Sequence, residues 1–324
     1  MNIILKKIKN RLKHLINFSS LSSFNRFYLK KRLASILPEI NVFDVGASYF
    51  PHKNFDIFLN SENTNWYAVD PNEKNLNYID DNWPYKAKVT KIPYALSNDG
   101  KKKPFYLTKI DSGSSNLKFD FNQNLKHRIS FENLLPIVSS EIETRSAKEI
   151  IYENTNNKLP LVVKLDTQGT EFEIIKSLGK EYIQDKLCCI EMETTLSADP
   201  LNIGSGKLIE VIHYFEKLGF EIVKLDVIDF IYPKLKSMLK TNNVPKECDL
   251  VLIRKSSINN FLNLNYKLTI LGCYFSYDLF SEAAVLVEDI LKNNLGELDD
   301  DNLKNLNYIK RNLKLVKGFD LTDN

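Results

Sequence analysis

Six carboxylates stand where short apolar runs of this sequence end or pass their midpoint: Asp44 in VFDVGAS, Asp70 in NWYAVD, Asp166 and Glu171 in LVVKLDTQGTEFEIIKSL, and Glu191 and Glu193 in LCCIEMET. An apolar run that closes on an acid and then a glycine or proline reads as a strand delivering a side chain to the rim of a sheet. Acids at such a rim can accept hydrogen bonds from a ribose diol, balance a cationic ligand, or take a proton from a hydroxyl nucleophile.

The glycines narrow the ligand. Gly46 and Ala47 let the backbone turn beneath whatever binds there. Asp70 lies 24 residues after Gly46, ahead of Pro71, in the place of an acid that accepts from ribose hydroxyls. A dinucleotide site needs G-x-G-x-x-G so that a pyrophosphate can reach backbone N–H groups at a helix start. Here Ser48 and Phe50 occupy the equivalent places. Their bulk favours a nucleoside without phosphates over NAD, and S-adenosylmethionine, whose sulfonium is positive, tolerates acidic surroundings. The same acids have plainer readings that stay open: Asp44 as a turn cap, Asp70 as the N-cap of PNEKNLNYI, Glu171 as a first-turn acid facing the helix dipole.

For proton transfer the expected main base or acceptor-positioning group is Asp166. Glu191 and Glu193, two apart on a strand, share a face, and two acids against a core are costly unless paired or opened to a cleft. Glu193 is expected to face the cleft, and Glu171 is a third candidate. Lys164 is either the cation that keeps these acids ionised or a strand-edge lysine. His52 is a second possible base or an exposed or capping histidine. No spacing of His, Cys and acids suits a metal, there is no G-x-S-x-G, and Gly206-Lys207 lacks the upstream glycine of a phosphate loop. Metal-independent chemistry is the expectation.

Positioning these residues falls to an alternation of β-branched runs and helical patterns, the mark of a largely parallel sheet with crossover helices. Seven strands are read: INVFDV, NWYAVD, KVTKIPYA, LVVKLD, LCCIEMET, FEIVKLD and CDLVLIRK. Helices are expected at GTEFEIIKSL and at SGKLIEVIHYFEKLG, where Leu208, Val211, Ile212, Phe215 and Leu218 repeat with helical period before Gly219. The link DFIYPKLKSMLKTNNVPKE has no clear helical pattern, so a reversed last strand is one outcome. Residues 98–160 read as an insertion over the strand ends, with a turn at NDGKKKP, the polar stretch DSGSSN and a helical TRSAKEIIYEN. Past Lys255, YDLFSEAAVLVEDILKN and DNLKNLNYIKRNLKLV are amphipathic helices. The organisation is then a basic segment at 1–38, a main domain at 39–255 and a helical extension at 256–324.

With 324 residues, 43% hydrophobic, the chain can bury a large core. No apolar run approaches the roughly 18 residues a membrane span needs, and no secretory start is evident, so the cytoplasm is the expected compartment. The cysteines Cys188, Cys189, Cys248 and Cys273 lack metal or redox spacing and read as buried small apolar residues. Net charge is +3, yet residues 1–38 hold nine Lys or Arg and no acid, which leaves the rest at −6. In MNIILKKIKNRLKHLI, Ile4, Ile8, Leu12 and Leu15 share one helix face opposite Lys6, Lys7, Lys9, Arg11 and Lys13. Such a helix fits an anionic membrane surface, or it caps the core with solvated lysines. Acidity elsewhere argues against nucleic acid as the partner.

The block Lys164-Leu165-Asp166-Thr167-Gln168-Gly169-Thr170-Glu171, running from strand into helix, resembles the hallmark of FkbM-type methyltransferases. FDVGAS, YAVDPN, IPYALSNDG, CIEMET, LGFEIVKL and CDLVLIRK agree with that resemblance in order and spacing over residues 40–255; the departure is Phe50, where the family usually has its second glycine. The resemblance implies a class I methyltransferase fold: a Rossmann-like, mostly parallel seven-stranded sheet with a reversed last strand and helices on both faces. It implies S-adenosylmethionine as cofactor, with Asp44, Gly46 and Ala47 bordering its methionine part, Ser48 next in that loop, Asp70 at the ribose, and Ala95, Leu96 and Ser97 near the adenine. It also implies methyl transfer to an oxygen, often a sugar or polyketide hydroxyl, so a small-molecule or glycan hydroxyl is the expected acceptor. Two other readings stand beside it. One is a catalytically silent member of the fold that binds partners through its basic helix and tail, to which Phe50 points. The other is an NAD-linked oxidoreductase, disfavoured by the missing glycines.

Overall fold

The computed structural model describes residues 23–48, 51, 53–119, 135–196, 202–228, 247–255 and 263–317. The basic helix expected before residue 23, Phe50, His52 and most of the link between the last two strands lie outside the described residues. The strands are β1 Ile40–Val45, β2 Thr64–Val69, β3 Lys88–Ile92, β4 Ala95–Ser97, β5 Lys103–Thr108, β6 Pro136–Ile142, β7 Thr144–Ser146, β8 Leu161–Leu165, β9 Leu187–Thr195, β10 Phe220–Ile228 and β11 Glu247–Arg254. The helices are α1 Ser23–Ala34, α2 Asp56–Leu59, α3 Glu73–Asn82, α4 Ala147–Asn154, α5 Glu171–Lys176, α6 Lys180–Lys186, α7 Leu208–Glu216, α8 Leu264–Ser276, α9 Phe280–Asn293 and α10 Asp300–Lys317.

Seven strands form one sheet in the order β10-β11-β9-β8-β1-β2-β3. They are the seven read from the sequence. From β3 across to β9 every pair is parallel, and β11 runs antiparallel to both β9 and β10. Parallel strands are covered on both faces, so they read as near-continuous apolar runs. From β1 the chain steps outward to β2 and β3, then returns to place β8 and β9 on the other side of β1. That reversal opens a crevice beyond the carboxyl ends of β1 and β8, where open α/β sheets bind their ligands.

Helices cover both faces. Phe43, Val45, Val163, Leu165, Ile190 and Met192 pack on one side with Ile150 of α4, Ile174 of α5, Ile183 of α6 and Phe215 of α7. Val42, Ala68, Val162, Cys189 and Val251 pack on the other with Leu33 of α1, Phe58 of α2, Ile79 of α3, and the C-terminal helices α8, α9 and α10. Leu268, Ile270, Leu271 and Phe275 of α8 are buried there, each worth roughly 1.5–3 kcal/mol by removal from water. Gly272 lets α8 approach α2: a Cβ there would meet the Phe58 ring at 3.0 Å. The C-terminal helices thus share the core of the sheet. All four cysteines are free and buried, and among the described residues no helix is long and apolar enough to cross a membrane.

Among the described residues, two small sheets lie between Ala95 and Ser146. β4 pairs with β7, and β5 pairs with β6 as an antiparallel hairpin. The apolar run KVTKIPYA is split by this arrangement, because Ala95–Ser97 leaves β3 to pair with Thr144–Ser146. Helix α4 starts on a capping box in which Ser146 Oγ accepts from Glu149 N–H and the Glu149 carboxylate accepts from Ser146 N–H.

Candidate active site

At the end of β1 the chain turns at Gly46, whose φ is +79°. Its N–H donates to the Val69 carbonyl at 2.9 Å, and a Cβ on it would stand 2.0 Å from the Asp166 carbonyl oxygen. Only glycine satisfies both the left-handed turn and the close approach. Asp166 N–H in turn donates to the Val45 carbonyl at 3.0 Å, carrying the ladder one residue past β8.

Beyond these ends lies a cleft of about 440 Å³. Gly46, Ser48, Asp70, Ala95, Leu96 and Asp166 line it, and Phe105, Leu107 and Ile142 of the β5–β6 hairpin form an apolar wall. Asp70 Oδ1 accepts from Asn72 N–H at 2.7 Å and from Asn75 Nδ2 at 3.4 Å. The N-cap of α3 is Asn72, whose Oδ1 accepts from Lys74 N–H at 3.1 Å. Asp70 is therefore not the cap; it is a strand-end acid held at the cleft by the turn that follows it.

Beneath the cleft runs a row of charge. Asp44, Lys164 and Glu191 are register neighbours across β1, β8 and β9. The Lys164 ammonium lies 3.3 Å from Asp44 and 3.6 Å from Asp166. Asp44 is 3% exposed, and burial raises its pKa against the lowering pull of Lys164. Burial alone would lower Lys164, but Asp44, Asp166 and Glu191 outweigh it and hold the ammonium above its usual range. At the far end, the Tyr277 hydroxyl, just past α8, donates to Glu191 Oε2 at 2.6 Å. Burial, with Glu191 beside it, holds that phenol well above its ordinary pKa.

The loop after β8 carries the second network. Gln168 adopts φ +59°, unusual for a residue with a side chain. Its carbonyl accepts from Ser115 Oγ at 2.8 Å and from Asn202 Nδ2. Its Nε2 donates to Asp166 Oδ1 and to Glu193 Oε2, both at 3.1 Å. Burial, then the adjacent Glu247 carboxylate, pushes Glu193 well above the usual carboxylate range. Glu171, 2% exposed, accepts from Thr167 N–H at 2.7 Å and from Gly169 N–H at 2.9 Å, closing the loop from below. Burial pushes it up to about 7 against those hydrogen bonds.

Asp44, Ala47, Ser97, Glu171 and Glu193 do not line the cleft. Asp44 reaches it through Lys164 and Glu193 through Gln168. Ser97 Oγ shares a 2.6 Å hydrogen bond with Thr144 and accepts from Gly100 N–H at 2.9 Å, tying β4 to β7. Gln168 lines the cleft but carried no site role in the sequence reading, and the Ser112–Asn116 turn, which lines it too, was placed there only as part of the 98–160 insertion where substrate loops sit. Adjacency to Asp166 was the one signal that could have singled out Gln168. Among the described residues no group of three His, Cys, Asp or Glu could hold a metal ion.

The profile of the methyltransferase FkbM domain matches residues 44–222, from Asp44 of the charge row to Ile222 of β10. The chain belongs to the FkbM methyltransferase family. No curated protein sequence matches it. Among solved structures it is similar to precorrin-6y C5,15-methyltransferase from Geobacter metallireducens GS-15, with 11% identity, TM-score 0.29, and 73% of this chain and 91% of that one covered. It is similar also to magnesium protoporphyrin IX methyltransferase from Synechocystis PCC 6803 with bound S-adenosylhomocysteine, with 9% identity, TM-score 0.34, and coverage of 71% and 83%. A third is an arsenic(III) S-adenosylmethionine methyltransferase from Chlamydomonas reinhardtii, with 9% identity, TM-score 0.36, and coverage of 68% and 65%.

The cofactor of this FkbM-family methyltransferase is S-adenosylmethionine, and the cleft residues fit it. Asp70 offers a carboxylate to a diol, Leu96, Phe105 and Leu107 offer apolar surface to a flat base, and Asp166 offers negative charge to a sulfonium. The crowding of Gly46 against Asp166 keeps the floor between these ends free of side chain.

Proposed function

We propose that this methyltransferase acts on a hydroxyl oxygen of a sugar, glycan or related polyhydroxylated small molecule. The observation that carries the proposal is Asp166: a carboxylate at the cleft, its side chain 46% exposed, with one oxygen held by Gln168 and the other 3.6 Å from Lys164. When bound, the cofactor supplies an electrophilic methyl group on a sulfonium. Asp166 orients the acceptor hydroxyl and takes its proton as the oxygen attacks. Positioning the oxygen in line at about 3–3.5 Å supplies much of the rate. Ser112, Ser114, Asn116, Thr167 and Thr170 also line the cleft, and their hydroxyl and amide groups suit a neutral polyol.

The test is release of S-adenosylhomocysteine by the full chain from S-adenosylmethionine with methyl glycosides and oligosaccharides, beside thiol and amine acceptors. Product should form with hydroxyl acceptors only. Asp166→Asn should cut kcat by about a hundredfold, in the range of general-base removal, with the donor KM nearly unchanged. Methylation of amines or thiols instead, or a wild-type rate in Asp166→Asn, rejects the reading.

A further inference from the structure

We propose that the outer edge of β10 is a docking surface for a second copy of this chain, the two sheets joining edge to edge about a twofold axis centred on Leu225. The surface lies on the outside of the sheet, and its use does not depend on what the cleft holds.

β10 is the terminal strand of the seven-stranded sheet, and among the described residues no strand pairs with its outer side. It is nine residues long, against a typical strand of about five or six, and the outward N–H and C=O groups of such an edge form a template for another strand. Ile222 is 41% exposed, Leu225 39% and Val227 46%. They stand opposite Leu252, Leu250 and Cys248 of β11, so all three lie on one face of the sheet. The bulge between Ile222 and Lys224 keeps them there, because an extra residue offsets the odd spacing. An apolar stripe therefore follows an open edge.

The charges select the partner. An edge guarded by lysines alone repels a second copy of itself. Here Lys224 and Asp226 flank Leu225, share the other face and form an ion pair with each other. A twofold axis perpendicular to the sheet pairs the edges antiparallel and continues each face into the same face of the copy, so opposed residues come from one face. An axis at Lys224 or at Asp226 sets like charges opposite each other. An axis at Leu225 sets Lys224 of each copy opposite Asp226 of the other and brings the two Leu225 side chains together. Opposite charges across a strand pair attract and like charges repel, so this edge is complementary to itself in that register. The two clefts then open at opposite ends of the joined sheet, since β10 runs parallel to β8 and β9 and antiparallel to its copy.

The experiment is sedimentation equilibrium of the full chain over a range of concentrations. The wild type should show a monomer–dimer equilibrium with a dissociation constant in the micromolar range, as a narrow interface gives. Lys224→Asp alone and Asp226→Lys alone each turn both cross-strand pairs into like-charge pairs, and each should weaken dimerisation by roughly tenfold. Mixed in equal amounts, the two variants should associate as tightly as the wild type, because each supplies the charge that the other lacks. Leu225→Asp sets two carboxylates opposite each other across the axis, should also weaken the dimer, and stands in if a charge variant does not fold. A wild type that stays monomeric through the micromolar range, a dimer indifferent to these substitutions, or folded charge variants that fail to associate when mixed overturns the inference.

Discussion

The two faces of the central sheet are made by the same strands at similar depth, yet they differ in kind. Phe43, Val45, Val163, Leu165, Ile190 and Met192 form a continuous apolar face under α4 to α7. On the other face Val42, Val162 and Cys189 are apolar near the amino ends, but the next residues on that side, Asp44, Lys164 and Glu191, are charged. Alternation along a strand forces this division, since neighbouring residues point to opposite faces. One face is a core from end to end; the other is a core that turns into the floor of a site. Asp44 and Lys164 there are paired with each other, and Tyr277 donates to Glu191.

The largest expected effect follows from that difference. Lys164→Met leaves Asp44 and Glu191 without their cation and should cost about 3–5 kcal/mol, the range for breaking a buried pair from one side. Val163→Ala, one residue earlier on the apolar face, should cost about 2 kcal/mol. Urea unfolding of the two variants compares the faces directly. Adding Asp44→Asn to Lys164→Met should recover part of the loss, because it removes the stranded carboxylate. A Lys164→Met variant more stable than Val163→Ala would show that the row is not a set of mutually dependent ions.

Glu171 sharpens the comparison in pH. Its carboxyl is pushed from 4.5 up to about 7 by burial on the side of α5. A group whose pKa is raised on folding adds stability that is complete below its unfolded value and lost as pH rises through the folded value. Wild-type stability should therefore fall between about pH 4.5 and pH 7 by on the order of 3 kcal/mol from this group. Glu171→Gln should flatten that slope, measured as the urea midpoint against pH. The slope surviving in Glu171→Gln would assign it to the Glu193–Glu247 pair instead.

How much of this was readable beforehand depends on range. All seven strands of the sheet and the reversed last strand were legible, because parallel strands concentrate β-branched and apolar residues between acids and glycines. Gly46, Asp70 and Asp166 were legible as rim residues for the same reason, and the structure brings them to one cleft. Helix α8 was not singled out: it is buried almost all round, Lys267 included, so no amphipathic period marks it. Lys267 is tolerated there by Asp289 and Asn294, more than twenty residues on. The link from Tyr277 to Glu191 spans 86 residues, and no local pattern announces it. Splitting of KVTKIPYA was hidden too, since β7, which draws Ala95–Ser97 away, is itself three residues long.

Gln168 gives the smallest effect on stability and separates structure from chemistry. A residue with a Cβ at φ +59° costs about 1 kcal/mol relative to glycine, which adopts that turn freely. The freedom a glycine adds to the unfolded chain offsets part of this, so Gln168→Gly should change stability by less than about 1 kcal/mol. Its carbonyl still accepts from Ser115 and Asn202, which leaves the loop anchored. What disappears is the amide between Asp166 and Glu193. Asp166 then loses the donor that fixes one of its oxygens, and transfer should fall by about tenfold, the loss expected when a base is present but loosely held. An unchanged urea midpoint with a reduced kcat assigns Gln168 to orienting Asp166. A lowered midpoint with an unchanged kcat makes it a brace between β8 and β9, and the charged rim would then be stabilised through the same residue that strains it.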